Sequence, residues 1–222
     1  MLPGEEKETP PEAGFSGRNS QRAMRIDTAF FPAGWRDDLN AHSRLTARYA
    51  LILARAIGID QARLLLDIER GALLHDVGKA AVPEQILCKR DPLTVFERVI
   101  VREHPIVGYR MIENLGFPKE ASEIVLCHHE RFDGRGYPMG LARDRIPLGA
   151  RIFALADSLD AMTTDRPYQR SRSVEDALRE IEKCGGSQFD PTLTEVFLSI
   201  PVSAWARSGL EASERSRTPS VH

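Results

Sequence analysis

The sequence predicts an all-α fold, and three observations support that prediction. Apolar residues recur at spacings of three and four along most of the chain, which is the period of an amphipathic helix. Helix start and stop signals, such as Thr94 with Glu97 and Gly116 before Pro118, bound these segments. No segment sustains the alternation of apolar and polar residues that marks a half-buried strand. We therefore expect a bundle of helices around one core.

The first predicted helix covers residues 36–58 and carries a histidine on its apolar face. That face presents His42, Leu45, Tyr49 and Leu53. Asp38 lies one turn before His42 and is expected to project from the same side.

The second predicted helix, about residues 60–79, carries a histidine and a lysine on one stripe. The stripe consists of Leu65, Ile68, Ala72, His75 and Lys79. Asp76 is turned by about 100° from His75 and lies beside this stripe. The helix is thus predicted to present three polar groups near its end.

A third helix is predicted from a capping box at Thr94 and Glu97, and it is expected to carry His104. Pro105 should kink or end a turn directly after that histidine. Residues 119–130 predict a short helix with a pair of histidines at its C-terminal end, and residues 131–140 are dense enough in glycine and proline to form a loop.

Three helices are expected in the last third of the chain. Residues 151–163 are apolar on nearly every side, which is typical of a buried helix, so Asp157 within it needs a cation or strong donors. The next helix starts at Ser173 and stops at Gly185, and the last follows Asp190.

Composition narrows the class of protein. The 30 basic and 32 acidic residues give a net charge of −2, which argues against a nucleic-acid polymer as the main partner. No run of 18 apolar residues is present, so we expect no membrane span. The N-terminus lacks the features of a signal peptide, and three cysteines form no paired pattern. These features favour the cytoplasm. Cys127 is interpreted as a buried apolar residue rather than a soft ligand.

The chain is expected to fold as one domain over residues 26–208. Residues 1–25 combine prolines, glycines and charges and cannot bury enough apolar area to offset the entropy of ordering, so they are predicted to be disordered. The same prediction holds for residues 209–222.

Five of the six histidines form an ordered series with two aspartates, and this series predicts a metal site. Its members are His42, His75, Asp76, His104, His128, His129 and Asp157. Imidazole and carboxylate ligands together suit iron, manganese or zinc. Seven ligands exceed what one four-coordinate ion needs, so two metals or more are expected. Asp160, Glu130 and Asp133 are interpreted as groups that orient ligands or organise loops. The series predicts a metal-dependent hydrolase.

The motifs that carry these residues resemble the HD-GYP family, a branch of the HD metal-dependent phosphohydrolases. HDVGK, EHPIVG, HHERFDGRGYP, ADSLDAMTTDRPY and GGSQFDP occur in the order and near the spacing of that family, over residues 38–200. The resemblance implies an all-α HD-domain bundle with a metal centre in its core and a GYP loop, which is the loop of residues 131–140 that contains Gly136, Tyr137 and Pro138. It also implies two or three divalent metals, commonly iron or manganese. The implied reaction is hydrolysis of cyclic di-GMP to pGpG, and often on to GMP, by a hydroxide that bridges the metals.

The resemblance also implies a role for each residue. One metal would take His42, His75, Asp76 and Asp157, and the second would take Asp76, His104, His128 and His129. Asp38 is a candidate ligand for a third metal, at a position where other members have glutamate. Asp76 and Lys79 are the catalytic candidates, and Lys79 would contact a phosphate oxygen or protonate the leaving oxygen. Arg166, Tyr137 and Gln169 are the candidates for substrate binding, with Tyr137 as an organiser of the loop.

Two other functions stay open at this point. Gln169 stands where relatives carry lysine or arginine, which leaves room for another cyclic dinucleotide or a nucleotide as substrate. The second alternative is a non-catalytic module that senses cyclic di-GMP or docks a diguanylate cyclase. The complete ligand set argues against that second alternative.

Overall fold

The computed structural model describes residues 33–165 and 171–205, with side chains from residue 41 onward. Within these ranges the regular structure is helical, with an isolated bridge between Gly185 and Phe189. The predicted all-α fold is confirmed. The α-helices, in chain order, are α1 Ala33–Ala56, α2 Ala62–Leu74, α3 Glu84–Leu87, α4 Val95–Arg102, α5 His104–Glu113, α6 Lys119–Cys127, α7 Leu148–Thr163, α8 Val174–Lys183 and α9 Pro191–Ser199. Short 3₁₀ turns cover Val77–Ala81 and Arg143–Arg145.

The core surrounds helix α7, which packs against α1, α6, α8 and α9. Its side chains Phe153, Leu155 and Leu159 are fully buried, as expected from the nearly all-apolar surface of this segment. Trp205 closes the core near the end of the described chain, with its ring stacked on Phe197 at a centroid distance of 4.4 Å. Most of the helices that carry the candidate ligands are therefore packed around one core.

The predicted starts of three helices are confirmed by their capping contacts. Thr94 and Glu97 form the predicted capping box, with Thr94 N donating to Glu97 Oε2 at 2.7 Å and Glu97 N donating to Thr94 Oγ1 at 3.2 Å. Ser173 caps α8 by accepting from Asp176 N, and Asp190 caps α9. These signals are local in sequence, which explains why they could be predicted.

The prediction of one continuous helix over residues 60–79 was wrong. Helix α2 ends at Leu74, and the chain continues as a 3₁₀ turn that contains Gly78 and Lys79. A Cβ atom on Gly78 would lie 2.0 Å from the carbonyl oxygen of His104 and 2.5 Å from Gly108 N. The chain therefore leaves the α-helical path where it passes against the backbone of α5.

The prediction that the helix starting after Thr94 carries His104 was also wrong. Helix α4 ends at Arg102, and His104 is the first residue of α5. The break comes before the histidine because Pro105 has no N–H and its ring is tolerated only in the first turn of a helix.

The predicted disordered tails, residues 1–25 and 209–222, lie outside the described residues, as do Arg166, Gln169 and the side chain of Asp38. Among the helices that the structure describes, none is both long and apolar enough to cross a bilayer.

Candidate metal centre

Five helices bring the predicted ligand series together at one place. His42 lies on α1 and Asp157 on α7, whereas the other ligands lie at helix ends: His75 and Asp76 follow α2, His104 starts α5, and His128 and His129 follow α6. Two groups of side chains have ligand atoms within 4.8 Å of one another. They are His42, His75 and Asp76, and His104, His128 and His129. The arrangement thus forms two adjacent clusters, which we call the first and second cluster.

Three of the rings have a tautomer fixed by the backbone. The Nδ1 atoms of His75, His104 and His128 each contact the carbonyl oxygen three residues earlier, at 2.8, 2.6 and 2.8 Å. A carbonyl oxygen can only accept a hydrogen bond, so each Nδ1 carries the proton. In the neutral ring, Nε2 then presents its lone pair, which is the form that binds a metal.

Asp76 belongs to the first cluster and also faces the second. Its Oδ2 atom is 3.2 Å from His75 Nε2, and its Oδ1 atom is 3.2 Å from His104 Nε2. Lys79 Nζ donates to Oδ2 at 2.5 Å. Burial raises the pKa of Asp76, but the charge of the Lys79 ammonium outweighs this effect and holds the pKa well below its usual range. Asp76 is therefore an ionised carboxylate with one oxygen toward each cluster.

His42 is held by two carboxylates of α7. Its Nδ1 makes a short contact with Asp160 Oδ2, and its Nε2 lies 3.3 Å from Asp157 Oδ1. Burial lowers the pKa of His42, but hydrogen bonds to these two carboxylates raise it to about 9. For Asp157 the two effects have the opposite signs. Burial raises the pKa of its carboxyl, but the hydrogen bond with His42 outweighs burial and lowers the pKa to about 2. A metal here would displace a proton from His42.

The second cluster contains a contact that fits a cation. His104 Nε2 and His128 Nε2 are 3.1 Å apart, and both present lone pairs when their Nδ1 atoms are protonated. Burial, followed by the charge of neighbouring histidines, lowers the pKa of His128 well below its usual range and that of His129 to about 4. The rings of His128 and His129 are therefore neutral near pH 7. Buried ring nitrogens whose lone pairs face each other need a shared positive centre, so these residues fit a divalent metal.

Tyr137 of the GYP loop stacks on a predicted ligand. Its ring lies 4.7 Å from the His129 ring, with an angle of 22° between the planes. The guanidinium carbon of Arg102 lies 4.3 Å from the centre of the Tyr137 ring. This contact supports the interpretation of Tyr137 as an organiser, because the ring fixes the orientation of His129.

The GYP loop is held by a buried carboxylate and by the segment before α9. Glu130 accepts hydrogen bonds from Met139 N at 2.7 Å and Leu141 N at 3.0 Å. Phe132 N donates to the carbonyl of Gln188 at 3.1 Å. Gly136 leaves no room for a side chain, since a Cβ atom would lie 2.4 Å from Arg131 N. The loop therefore has a fixed shape beside the candidate metal ligands.

A cavity of about 300 Å³ opens beside the second cluster. Its walls come from α4, the end of α6, the GYP loop, α7 and the segment before α9. They are formed by Arg102, His128, His129, Glu130, Arg131, Arg135, Gly136, Tyr137, Ala154, Asp157, Ser158 and Gln188. Sequence reasoning did not select Arg102, Arg131, Arg135 or Gln188 for this site. Arginines are common in loops and at helix ends, so only their placement reveals them.

The family model described as an HD domain matches residues 35–193 of the chain. The chain belongs to the HD domain family. A cyclic di-GMP phosphodiesterase of Thermotoga maritima is 39% identical over 150 residues, which cover 67% of this chain and 40% of that protein. A cyclic di-GMP phosphodiesterase of Pseudomonas aeruginosa is 38% identical over 174 residues, covering 75% and 41%. A 3′3′-cGAMP-specific phosphodiesterase of Vibrio cholerae is 34% identical over 163 residues, covering 72% and 31%.

Solved structures of related HD-domain proteins share the fold. An HD-GYP-type protein of Bdellovibrio bacteriovorus matches with a TM-score of 0.61 at 19% identity, over 74% of this chain and 52% of that one. A cyclic GMP-AMP-specific phosphodiesterase of Vibrio cholerae matches with a TM-score of 0.55 at 17% identity, over 81% and 58%. The predicted membership of the HD-GYP branch is confirmed. This HD-domain chain spans about two fifths of the length of the curated relatives that it matches.

Proposed function

We propose that this HD-domain chain is a metal-dependent phosphodiesterase that hydrolyses cyclic di-GMP to pGpG and then to GMP. The observation that carries the proposal is the ionised Asp76, which faces two histidine clusters beside an arginine-lined cavity. The names of relatives at 36–39% identity support cyclic di-GMP as the substrate.

Two divalent ions, iron or manganese, are proposed to occupy the clusters. The first would be held by His42, His75, Asp76 and Asp157, and the second by Asp76, His104, His128 and His129. A pair of such ions lowers the pKa of a water molecule and polarises the phosphate group. The placement of Nε2 lone pairs and carboxylate oxygens supports this assignment. Asp38 is proposed as a weak ligand for a third ion.

The chain's own groups would position the phosphodiester and supply a proton. Lys79 Nζ lies 2.5 Å from Asp76 Oδ2, so its charge stands at the boundary between the two clusters. From there it can donate a charge-assisted hydrogen bond to a phosphate oxygen or protonate the leaving 3′-oxygen. Arg166 is proposed to bind the phosphate with its planar fork, and Gln169 to contact the substrate beside it.

A second candidate substrate is 3′3′-cGAMP. Two Vibrio cholerae relatives at 34% and 35% identity are named as specific for that dinucleotide. The same residues would act on either substrate, because both contain two phosphodiester bonds between nucleosides. The ratio of kcat/KM for the two dinucleotides, measured on one preparation, distinguishes them.

Turnover of cyclic di-GMP by anaerobically purified protein, with metals counted on the same sample, tests the proposal. We expect pGpG to appear when about two metals are bound per chain. His128→Ala should remove one metal and nearly all turnover while the helical content by circular dichroism is kept. Fully metal-loaded wild-type protein without turnover would contradict the enzyme and favour a sensing role. Full metal content in the variant would contradict the ligand assignment.

A further inference from the structure

Arg102 brings a positive charge to the mouth of the cavity from outside the GYP loop. It is the last residue of α4 and precedes His104 by two positions. Its side chain lines the cavity, and its guanidinium carbon lies 4.3 Å from the centre of the Tyr137 ring. Within the described part of the chain, it forms no ion pair with a carboxylate. This guanidinium is therefore available to an anion.

Arg135 adds a second charge on the neighbouring wall. It lies two positions before Tyr137 and lines the same cavity. Its backbone N–H is fixed by Asp133 Oδ1 at 3.0 Å, which holds the start of its side chain in place. The residue is exposed, so its guanidinium can reach into the opening.

Arg131 also lines the cavity, but it is used within the structure. Two of its nitrogens donate to the carboxylate of Asp133 at 3.1 and 2.8 Å, and a third donates to Gln188 Oε1 at 3.1 Å. It thereby joins the GYP loop to the segment before α9. Arg102 and Arg135 are the arginines of this cavity wall without such a structural task.

The carboxylates of the cavity do not cancel these two charges. Glu130 accepts from two backbone amides of the GYP loop, and Asp157 pairs with His42. Both acidic groups are therefore occupied inside the site, while the arginines face the opening. An anion in the cavity would meet the metal residues on one side and two guanidinium groups on the other.

We propose that Arg102 and Arg135 bind the second phosphate of a cyclic dinucleotide, the one that is not cleaved. This inference rests on the proposed function, which places the scissile phosphate at the metal clusters and Lys79. A cyclic dinucleotide carries its two phosphates on opposite sides of one ring, so the other phosphate must meet a separate partner. Guanidinium groups bind phosphate through paired, charge-assisted hydrogen bonds, which are stronger than the exposed contact of Arg102 with an aromatic ring.

The test compares a substrate with two phosphates and a substrate with one. Arg102→Ala, Arg135→Ala and the double variant are assayed with cyclic di-GMP and with bis(p-nitrophenyl) phosphate. We expect the double variant to raise KM for cyclic di-GMP by at least about tenfold, with kcat within about twofold, because a bidentate ionic contact is lost. The kinetics with the single-phosphate ester should stay within about twofold. Arg145→Ala is the matched control, since it removes the same charge from an exposed site that does not line the cavity.

Other results would contradict either this inference or the proposed function. An unchanged KM for cyclic di-GMP in the double variant overturns this inference while the proposed function stands. An equal loss with both substrates, together with loss of metal, also overturns it and assigns Arg102 to the support of Tyr137 and His129. If the wild-type protein cleaves only the single-phosphate ester, the proposed function fails. In that case, calorimetry measures the Kd for cyclic di-GMP of the wild type and of the double variant. Equal Kd values overturn the proposed arginine contact, and a higher Kd in the variant supports it.

Discussion

At the scale of single residues, the second ring nitrogen of four candidate ligand histidines meets a particular partner. His75, His104 and His128 use backbone carbonyls, which any sequence could supply at those positions. His42 instead contacts the carboxylate of Asp160, which is 1% exposed and also accepts from Thr164 Oγ1 at 2.9 Å. A buried carboxylate on a ligand histidine orients the ring and raises its basicity. Asp160 is therefore a supporting group of the proposed metal centre.

Replacement of Asp160 by asparagine should weaken metal binding while the fold is kept. The amide can still accept a hydrogen bond from His42 but lacks the charge that strengthens the ring as a ligand, so we expect a loss of about 10–100-fold in affinity. Competition with a chelator of known affinity measures the metal affinity of each protein. Asp144→Asn, at a side chain that is 92% exposed, is the control and should bind metal like the wild type. Equal affinities in both variants would exclude this role for Asp160.

Sequence reasoning selected the candidate ligand residues but not the groups around them. His42 and Asp157 are 115 positions apart, yet both were assigned to one site because the resemblance to the HD-GYP family implied it. The contact of Arg102 with Tyr137 could not be predicted, since it depends on where the end of α4 lies against a loop 35 positions later. Local motifs carry ligands, whereas packing decides which other charges meet them.

At the scale of elements, the ends of helices determine the site. The predicted caps of α4, α8 and α9 are confirmed, because each depends on residues within one turn. The end of α2 was predicted five residues too late, because the helical pattern continues to Lys79 and the deciding contact, between Gly78 and α5, is distant in sequence. Sequence patterns thus indicate what begins a helix better than what interrupts it.

The cap of α4 should make stability depend on pH in the acidic range. A hydrogen bond from Lys89 Nζ, followed by that from Thr94 N, lowers the pKa of Glu97 to about 2 from its usual 4.5. A carboxylate with a lowered pKa stabilises the folded state above its unfolded pKa, and this effect is lost as the pH falls toward about 2.

We therefore expect Glu97→Gln to unfold at a lower temperature than the wild type at pH 6, with the difference shrinking between pH 4.5 and pH 2. Thermal unfolding followed by circular dichroism across this range measures it. Glu84→Gln, which changes an acidic residue in the first turn of α3, is the control. A difference from wild type that stays constant from pH 6 to pH 2 would show that the ionised carboxylate is not the stabilising form.

At the scale of the whole molecule, one aromatic contact connects the two ends of the described chain. Trp205 is fully buried, stacks on Phe197 of α9 and meets Tyr49 of α1 at a centroid distance of 5.5 Å. Tyr49 Oη donates to the carbonyl of Trp205 at 3.4 Å. The described residues that follow α9, up to Trp205, are thereby part of the core that supports His42.

Truncation of this side chain should cost much of the stability of the domain. Trp205→Ala is expected to lower the free energy of unfolding by about 3–5 kcal/mol, because it opens a large cavity in a packed core. Urea denaturation measures the change. Phe96→Ala, at an aromatic side chain that is 74% exposed, is the control and should stay within about 0.5 kcal/mol of wild type. A Trp205 variant as stable as its Phe96 counterpart would mean that the core is complete without residue 205.

Asp76 has a further consequence for how the protein responds to metal supply. One carboxylate faces both clusters, so the first ion to bind would fix its orientation and leave its other oxygen already placed for the next ion. The second ion would then bind with part of the ordering cost already met, which is positive cooperativity. A metal titration should accordingly give a Hill coefficient above one. In a cell with scarce metal, such a protein would exist as a mixture of empty and fully loaded molecules, and the loaded fraction would change over a narrow range of metal concentration.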